Sequence, residues 1–308
     1  MLIATLPTFT GTKAQNLSEE ILKHPLIDAA RYNTGGDSPY APKQILEILK
    51  PIADRYGKIL YVDLEGRQVR VARWAPFSRG VATLNRDFTI ELPGQIHFRR
   101  AGWCDIVNAK PEERKIFFKP HRMREEYYLG ESQSVNVIAK NFEVKGYLQD
   151  SDFEYIKTAV ELGISHFMLS FVESIEDISE LRDLPKAHLV LKIESQKGIE
   201  FVKKTPKKTL KKFQLMAARD DLFLSFVDRR SEFLDALKLI VKRDKNAILA
   251  SKIMSGLLEY SSEVTIGDMT DIVLMNQFGY KHFMFSDELA DCFTIAIHDW
   301  QEIIWKKK

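Results

Sequence analysis

Apolar, partly β-branched runs recur along the chain at LIATL, DAARY, ILYVD, HFMLSF, HLVLKIE, FQLMAA, AILAS and HFMFS, with stretches of helical character between them. Short apolar runs bounded by polar segments read as buried strands. The connecting segments carry helix-start chemistry: Ser151 precedes DFEYIKTAVEL and Gly163 follows it, while Ser174 stands three residues before Asp177 in a capping-box spacing. Repeated strand and helix alternation implies parallel strands, and eight such units imply a closed barrel rather than an open sheet. The expected class is α/β, a (β/α)8 TIM barrel.

The alternation breaks between about Val71 and Lys145, where GVATL, FTIEL, HFRRA and KIFFK look like short half-buried strands separated by Gly, Pro and Asn signals. This predicts a small β-rich domain inserted after the third strand, over residues 71–142, with the barrel built from 1–70 and 143–308. Within HLVLKIE, the two-residue period of a strand puts Val190, Lys192 and Glu194 on one face and Leu191 and Ile193 on the other. The polar pair then points into the barrel mouth.

Composition narrows the function classes. A chain of 308 residues with 45% hydrophobic and 29% charged side chains has ordinary globular usage, which argues against disorder and fibrous classes. Its 45 basic and 43 acidic residues leave a formal charge of +2, too balanced for the footprint of a duplex-binding protein, so no nucleic-acid partner is expected. Cys104 and Cys292 have no metal-type spacing and no disulfide framework around them, which suits a reducing cytoplasm. MLIATLPTF lacks the basic start of a signal peptide, and no run approaches the ~18 apolar residues of a membrane span, so neither processing nor a membrane is expected. The lysines from Lys203 to Lys212 read as a solvated loop, and His166, His188 and His282 as structural residues at the starts of strands.

Active sites of such barrels occupy the C-terminal ends of the strands. Polar residues cluster there: Arg31 and Asn33 in ARYNTGG, Asp63 and Arg70 in VDLEGRQVR, Lys192 and Glu194 in LKIES, Asp221 in AARDDL, and Ser251 after AILA. A small hard cation such as Mg²⁺ usually takes one or two carboxylates and completes its shell from substrate and water. Glu194 and Asp221 suit that role, with Lys192 beside them for an anionic substrate. The structural alternative is an ion-pair network of Lys192, Glu194, Arg219 and Asp221.

These motifs match a family in order. The chain resembles pyruvate kinase across nearly its whole length, through IATLP, DAARYNTGG, VDLEGRQVR, the stretch KGYLQDSDFEYIKTAVELGISHFMLSFVESIEDISELR, then LKIES, MAARDDL, ILASKIM and FSDELA. The resemblance implies phosphoryl transfer between phosphoenolpyruvate and a nucleoside diphosphate such as ADP, with Mg²⁺ or Mn²⁺ as cofactor and a lid domain closing over the barrel mouth. Carried over by position, Glu194 and Asp221 bind the divalent metal, Lys192 stabilises the transferring phosphoryl group and the enolate, and Arg31 grips the phosphate. Ser251 stands at a threonine beside the proton-transfer site, Asn33 and Asp63 match two monovalent-cation ligands, and Arg70 matches a nucleotide-side arginine. Ser170 and Asp220 join Arg31, Asn33 and Arg70 among the substrate- or nucleotide-binding positions.

The chain also departs from that family. Gly35 replaces a serine and Leu64 a threonine, which leaves the monovalent site incomplete and counts against potassium activation. Gly36 replaces a histidine and Gln133 a lysine on the nucleotide side, while Asp220, Phe223 and Lys252 replace two glycines and a glutamine on the substrate side. A carboxylate at Asp220 would repel a substrate carboxylate unless its side chain turns away. The chain stops soon after the eighth strand in a helix carrying Trp300 and Trp305, without the family's C-terminal regulatory domain, so no control through that domain is expected. Those tryptophans are expected to pack against the barrel or a partner subunit. Two other functions stay open: a metal-dependent enolpyruvate or oxo-acid lyase or decarboxylase that uses no nucleotide, and a catalytically degenerate relative.

Overall fold

The eight apolar runs become eight parallel strands: β1 (Leu2–Thr5), β2 (Ala29–Asn33), β3 (Ile59–Leu64), β4 (His166–Leu169), β5 (His188–Ile193), β6 (Gln214–Ala218), β7 (Ile248–Ala250) and β8 (His282–Met284). Each pairs with its sequence neighbours, and β8 closes the barrel onto β1. The computed structural model describes residues 1–123, 126–182, 184, 186–260 and 263–305, without the side chains of residues 259, 260, 304 and 305. Trp305, one of the two expected packing aromatics, therefore has its side chain outside the described residues. Trp300 is buried and meets Phe283 and Phe285 edge-on, at 5.1 and 5.5 Å between ring centroids.

Every barrel strand is buried over most of its length, since one face lines the interior and the other lies under helices. That is why the strands read as continuous apolar runs rather than as alternating ones. Ile3, Ala29, Tyr61, Met168, Val190, Met216, Ala218, Ile248, Ala250 and Met284 form one buried cluster. The strand period carries the same face on to Thr5, Arg31, Asp63, Ser170, Lys192 and Glu194 at the C-terminal ends. The opposite end holds the strand-initial histidines, with His166 and His188 packed on Tyr61 at 5.2 and 6.2 Å.

Local capping fixes how the chain leaves β5. The Ser195 side chain accepts a hydrogen bond from the Gly198 amide at 3.0 Å and starts the helix Gln196–Lys204 directly after Glu194. A Cβ on Gly198 would lie 2.9 Å from the Val172 carbonyl oxygen, so only glycine lets the helix approach β4's outgoing loop this closely. Ser174 makes only half of the expected capping box, its amide donating to Asp177 at 3.0 Å ahead of a 3-10 turn at Glu176–Ile178.

The chain divides into two compact units: residues 1–34, 38–64 and 150–308 form the barrel, and residues 35–37 and 65–149 form the insertion. The insertion thus reaches beyond 71–142 at both ends. Val69–Arg70 pairs with Val135 and Ser134, and the strand Ser134–Val144 runs on past Phe142. Its six-stranded antiparallel sheet orders Val69–Arg70, Ser134–Val144, Phe88–Phe98, Gly102–Lys110, Lys115–Phe118 and Val81–Thr83. FTIEL and the start of HFRRA are one strand, Phe88–Phe98, not two, and Pro93 and Gly94 lie inside it where the partner's register shifts. The sequence reading missed Gly102–Lys110, whose outer positions alternate with Asp105, Val107 and Asn108 in water and so give no apolar run.

Within this insertion Arg86 is 5% exposed, and its guanidinium donates to the carbonyls of Gly66, Lys145, Gly146 and Tyr147. Those carbonyls belong to the incoming and outgoing ends of the insertion. Arg86→Ala leaves several buried acceptors without a donor and is expected to cost about 2–4 kcal/mol. Thermal unfolding of the full chain checks this, and a melting curve equal to that of the unsubstituted protein would refute it. Among the described residues, no helix is long and apolar enough to cross a membrane.

Candidate active site

At the C-terminal ends of β2, β3, β4 and β5, five inward side chains meet: Arg31, Asp63, Ser170, Lys192 and Glu194. Asp63 is the hub: one carboxylate oxygen accepts from Arg31 Nε at 2.7 Å, Arg31 Nη2 at 2.6 Å and Lys192 Nζ at 3.2 Å. The same ammonium donates to Ser170 Oγ at 2.7 Å and lies 3.4 Å from Glu194 Oε1. Ser170 Oγ in turn donates to the Leu64 carbonyl at 2.8 Å. The second Glu194 oxygen accepts from the Phe171 amide at 2.6 Å. Arg31, Asp63, Ser170, Lys192, Glu194 and Asp221 are all buried.

The electrostatics follow from that burial. Desolvation alone would lower the Lys192 pKa, but Asp63 and then Glu194 outweigh it and raise it, so the ammonium stays charged. Desolvation likewise works against the Arg31 charge, and Asp287 and Asp63 more than reverse it. Glu194 is pushed up to about 7, first by burial; Lys192 lowers it, while Asp221 and Asp63 add to the rise and the Phe171 amide opposes it. A buried carboxyl held near neutrality beside another carboxylate is a place that gains from added positive charge.

Glu194 and Asp221 fit the divalent cation that the sequence pattern implies. They are hard oxygen donors that follow adjacent strands, Glu194 directly after β5 and Asp221 in the first turn of the helix Arg219–Ser225 after β6, and one or two carboxylates is the usual protein share for Mg²⁺. Among the described residues no group of three or more His, Cys, Asp or Glu side chains is arranged to hold a metal; a Mg²⁺ held by two carboxylates would take the rest of its shell from substrate and water. The monovalent site fits less well. Asp63 already carries two side-chain cations, and the Asn33 amide nitrogen donates to Asp287 at 2.9 Å.

The departures on the substrate side compensate one another. Asp220 turns to Lys252, 3.6 Å away, and is not aimed at the site as a third carboxylate. Phe223 meets Phe233 edge-on at 5.1 Å and lies under the Arg230 guanidinium at 4.4 Å. Of the structural alternative, the Lys192–Glu194 pair is present at 3.4 Å, while Arg219 pairs with Asp271 at 2.6 Å and donates to the Ser251 carbonyl at 3.1 Å. Ser251 and Lys252 follow β7 with φ of 67° and 57°, and Phe171 follows Ser170 with φ of 53°. Left-handed backbone at non-glycine residues costs about 1–2 kcal/mol each and concentrates at functional sites.

Arg70 lies in the insertion, bound to Glu65 at 2.6 Å, to Gln68 at 2.6 Å and to the Ser132 carbonyl at 2.8 Å. A Cβ at Gly35 would meet this guanidinium, so a side chain there would have to move Arg70 off its present partners. Gln133 bonds the Tyr127 hydroxyl at 2.6 Å. Two residues escaped the sequence reading: Thr5, whose Oγ1 is 3.4 Å from Arg31 Nη1, and Asp287, which pairs with that same nitrogen. FSDELA follows β8 as LKIES follows β5, and that strand-end position was the available signal for Asp287.

Comparison with known proteins agrees with the architecture. A pyruvate kinase of Thermoplasma acidophilum is 26% identical over 173 residues, which covers 53% of this chain and 30% of that protein's length. The crystal structure of pyruvate kinase from Pyrobaculum aerophilum superposes with a TM-score of 0.69 at 14% identity, over 100% of this chain and 73% of that one. No protein-family model matches the chain. The chain is thus pyruvate-kinase-like, by sequence in its matched segment and by fold along its whole length.

Proposed function

We propose that this barrel transfers a phosphoryl group between phosphoenolpyruvate and a nucleoside diphosphate, giving pyruvate. The observation that carries the reading is the Arg31–Asp63–Lys192–Glu194 chain of contacts, which fixes two buried cations beside a carboxyl short of positive charge. Phosphoryl transfer needs little covalent help from the protein and much fixed charge around the moving group. A divalent cation held by Glu194 and Asp221 would supply Lewis-acid polarisation of the substrate's oxygens.

The chain's own side chains do the rest. The Lys192 ammonium faces the space between Asp63, Ser170 and Glu194 and offsets the charge that builds as the bond from phosphorus to the enol oxygen breaks. The phosphoryl group passes to a terminal oxygen of the nucleoside diphosphate, and the enolate takes a proton from solvent water at its methylene carbon on the side of Ser251. Arg31, locked on one edge by Asp63, orients the phosphate.

With Mg²⁺, ADP and phosphoenolpyruvate, the purified protein is expected to release pyruvate, and Glu194→Gln to reduce the rate by about a hundredfold or more. Absence of pyruvate sinks the reading. The state of Arg70 favours a second one, in which the same site acts on an oxo acid without a nucleotide, because that guanidinium is already taken by Glu65, Gln68 and Ser132. Metal-dependent turnover of oxaloacetate that ignores added nucleotide would select it.

A further inference from the structure

Arg31 presents two edges. Its Nε and Nη2 meet Asp63 at 2.7 and 2.6 Å, and that pair is buried, with 8% and 2% exposure. Its Nη1 lies 3.4 Å from the buried Thr5 hydroxyl and pairs with Asp287, whose side chain is 51% exposed and also accepts from Asn33 at 2.9 Å. Asp287 opens the 3-10 turn Asp287–Ala290 after β8, and β8 neighbours β1, which neighbours β2. The barrel's own closure therefore delivers this carboxylate to the mouth.

An arginine grips a phosphate through a free edge with parallel N–H groups. Here the inner edge is committed to a buried partner, and the outer nitrogen is met by a half-exposed one. Displacing Asp63 would strand a buried carboxylate, whereas Asp287 would swing into water at little cost. The two cations Arg31 and Lys192 are also already paired with three carboxylates, Asp63, Glu194 and Asp287, so the mouth disfavours a multiply charged anion while all three remain in place.

We propose that Asp287 is a specificity-determining residue that stands in for a substrate phosphate on the outer edge of Arg31. A phosphorylated acid binds by displacing Asp287, and an unphosphorylated oxo acid binds with it in place. The inference rests on the assignment of Arg31 as the phosphate-gripping residue in the proposed function.

Calorimetric titration in Mg²⁺ tests it on the unsubstituted protein, Asp287→Asn and Asp287→Ala, with phosphoenolpyruvate and oxalate as probes. Both substitutions are expected to tighten phosphoenolpyruvate roughly five- to tenfold, the size of releasing a half-exposed ion pair, and to leave oxalate within about twofold. Phosphoenolpyruvate binding that is unchanged, weaker or undetected in the variants overturns the proposal and makes Asp287 a support for Arg31. Equal tightening of oxalate also overturns it, by reducing the effect to general charge. Failure of the phosphotransfer reading is seen separately, as no pyruvate from the unsubstituted protein whatever the titrations give.

Discussion

Lys192→Met is expected to lower turnover of phosphoenolpyruvate by about a thousandfold while weakening its binding by less than about tenfold. The ammonium is buried among Asp63, Ser170 and Glu194, where its charge is worth far more than in water and costs no reorganisation during the reaction. An interaction that strengthens as negative charge grows on the enol oxygen appears in kcat, whereas one made equally to the bound substrate appears in KM. Equal losses in kcat and in affinity would show that Lys192 serves ground-state binding. The substitution also leaves Asp63 and Glu194 with less compensation, and removing one partner of a buried pair costs about 3–5 kcal/mol. Kinetics therefore have to be read at a temperature where circular dichroism shows the variant folded.

The second large effect is a stability profile that runs against the usual carboxylate trend. Glu194 ordinarily titrates near 4.5, and in the folded protein it is pushed up to about 7 by burial and by Asp221 and Asp63. At pH 5.5 the native state holds a proton there that the unfolded state has lost. Stability from this group is thus present at low pH, declines as pH rises from about 4.5, and is gone above about 7. The full swing is at most roughly 3 kcal/mol, or roughly 6–12 °C in melting temperature for a domain of this size.

Metal-free protein is therefore expected to melt higher at pH 5.5 than at pH 7.5 once other carboxylates are accounted for through Glu194→Gln, which removes the titration. Added Mg²⁺ is expected to recover the loss at pH 7.5, because a cation between Glu194 and Asp221 favours the ionised form. Parallel profiles for the unsubstituted protein and Glu194→Gln would show that the carboxyl is solvated well enough to titrate normally, and the metal assignment would lose its physical basis. The Lys192 and Glu194 experiments are independent, since one reads reaction rate and the other equilibrium unfolding.

The legible part of this molecule was whatever depends on short-range pattern. A strand buried on both faces must be apolar along its length, so the eight barrel strands stood out, and the strand period put Lys192 and Glu194 on the same face as Val190. The insertion was less legible. A strand such as Gly102–Lys110, with one face in water, breaks the apolar run, and Pro93–Gly94 looks like a stop although the strand passes through it. Its edges at Glu65 and Gln149 came from pairing between Val69–Arg70 and Ser134–Val135, a contact with no local signature.

The amino-acid order by itself determined the barrel, the existence of the insertion and the set of polar residues at the strand ends, because these follow from periodicity and from which side chains tolerate burial. The tertiary structure alone decided the partners. Asp63 faces Arg31 and Lys192, Asp220 turns to Lys252, and Asp287, 256 residues from Arg31 in sequence, takes its outer edge. Ion pairs form between groups that closure of the barrel brings within a few ångströms, and Coulomb energy depends on that distance and on burial, neither of which is written in the separation along the chain.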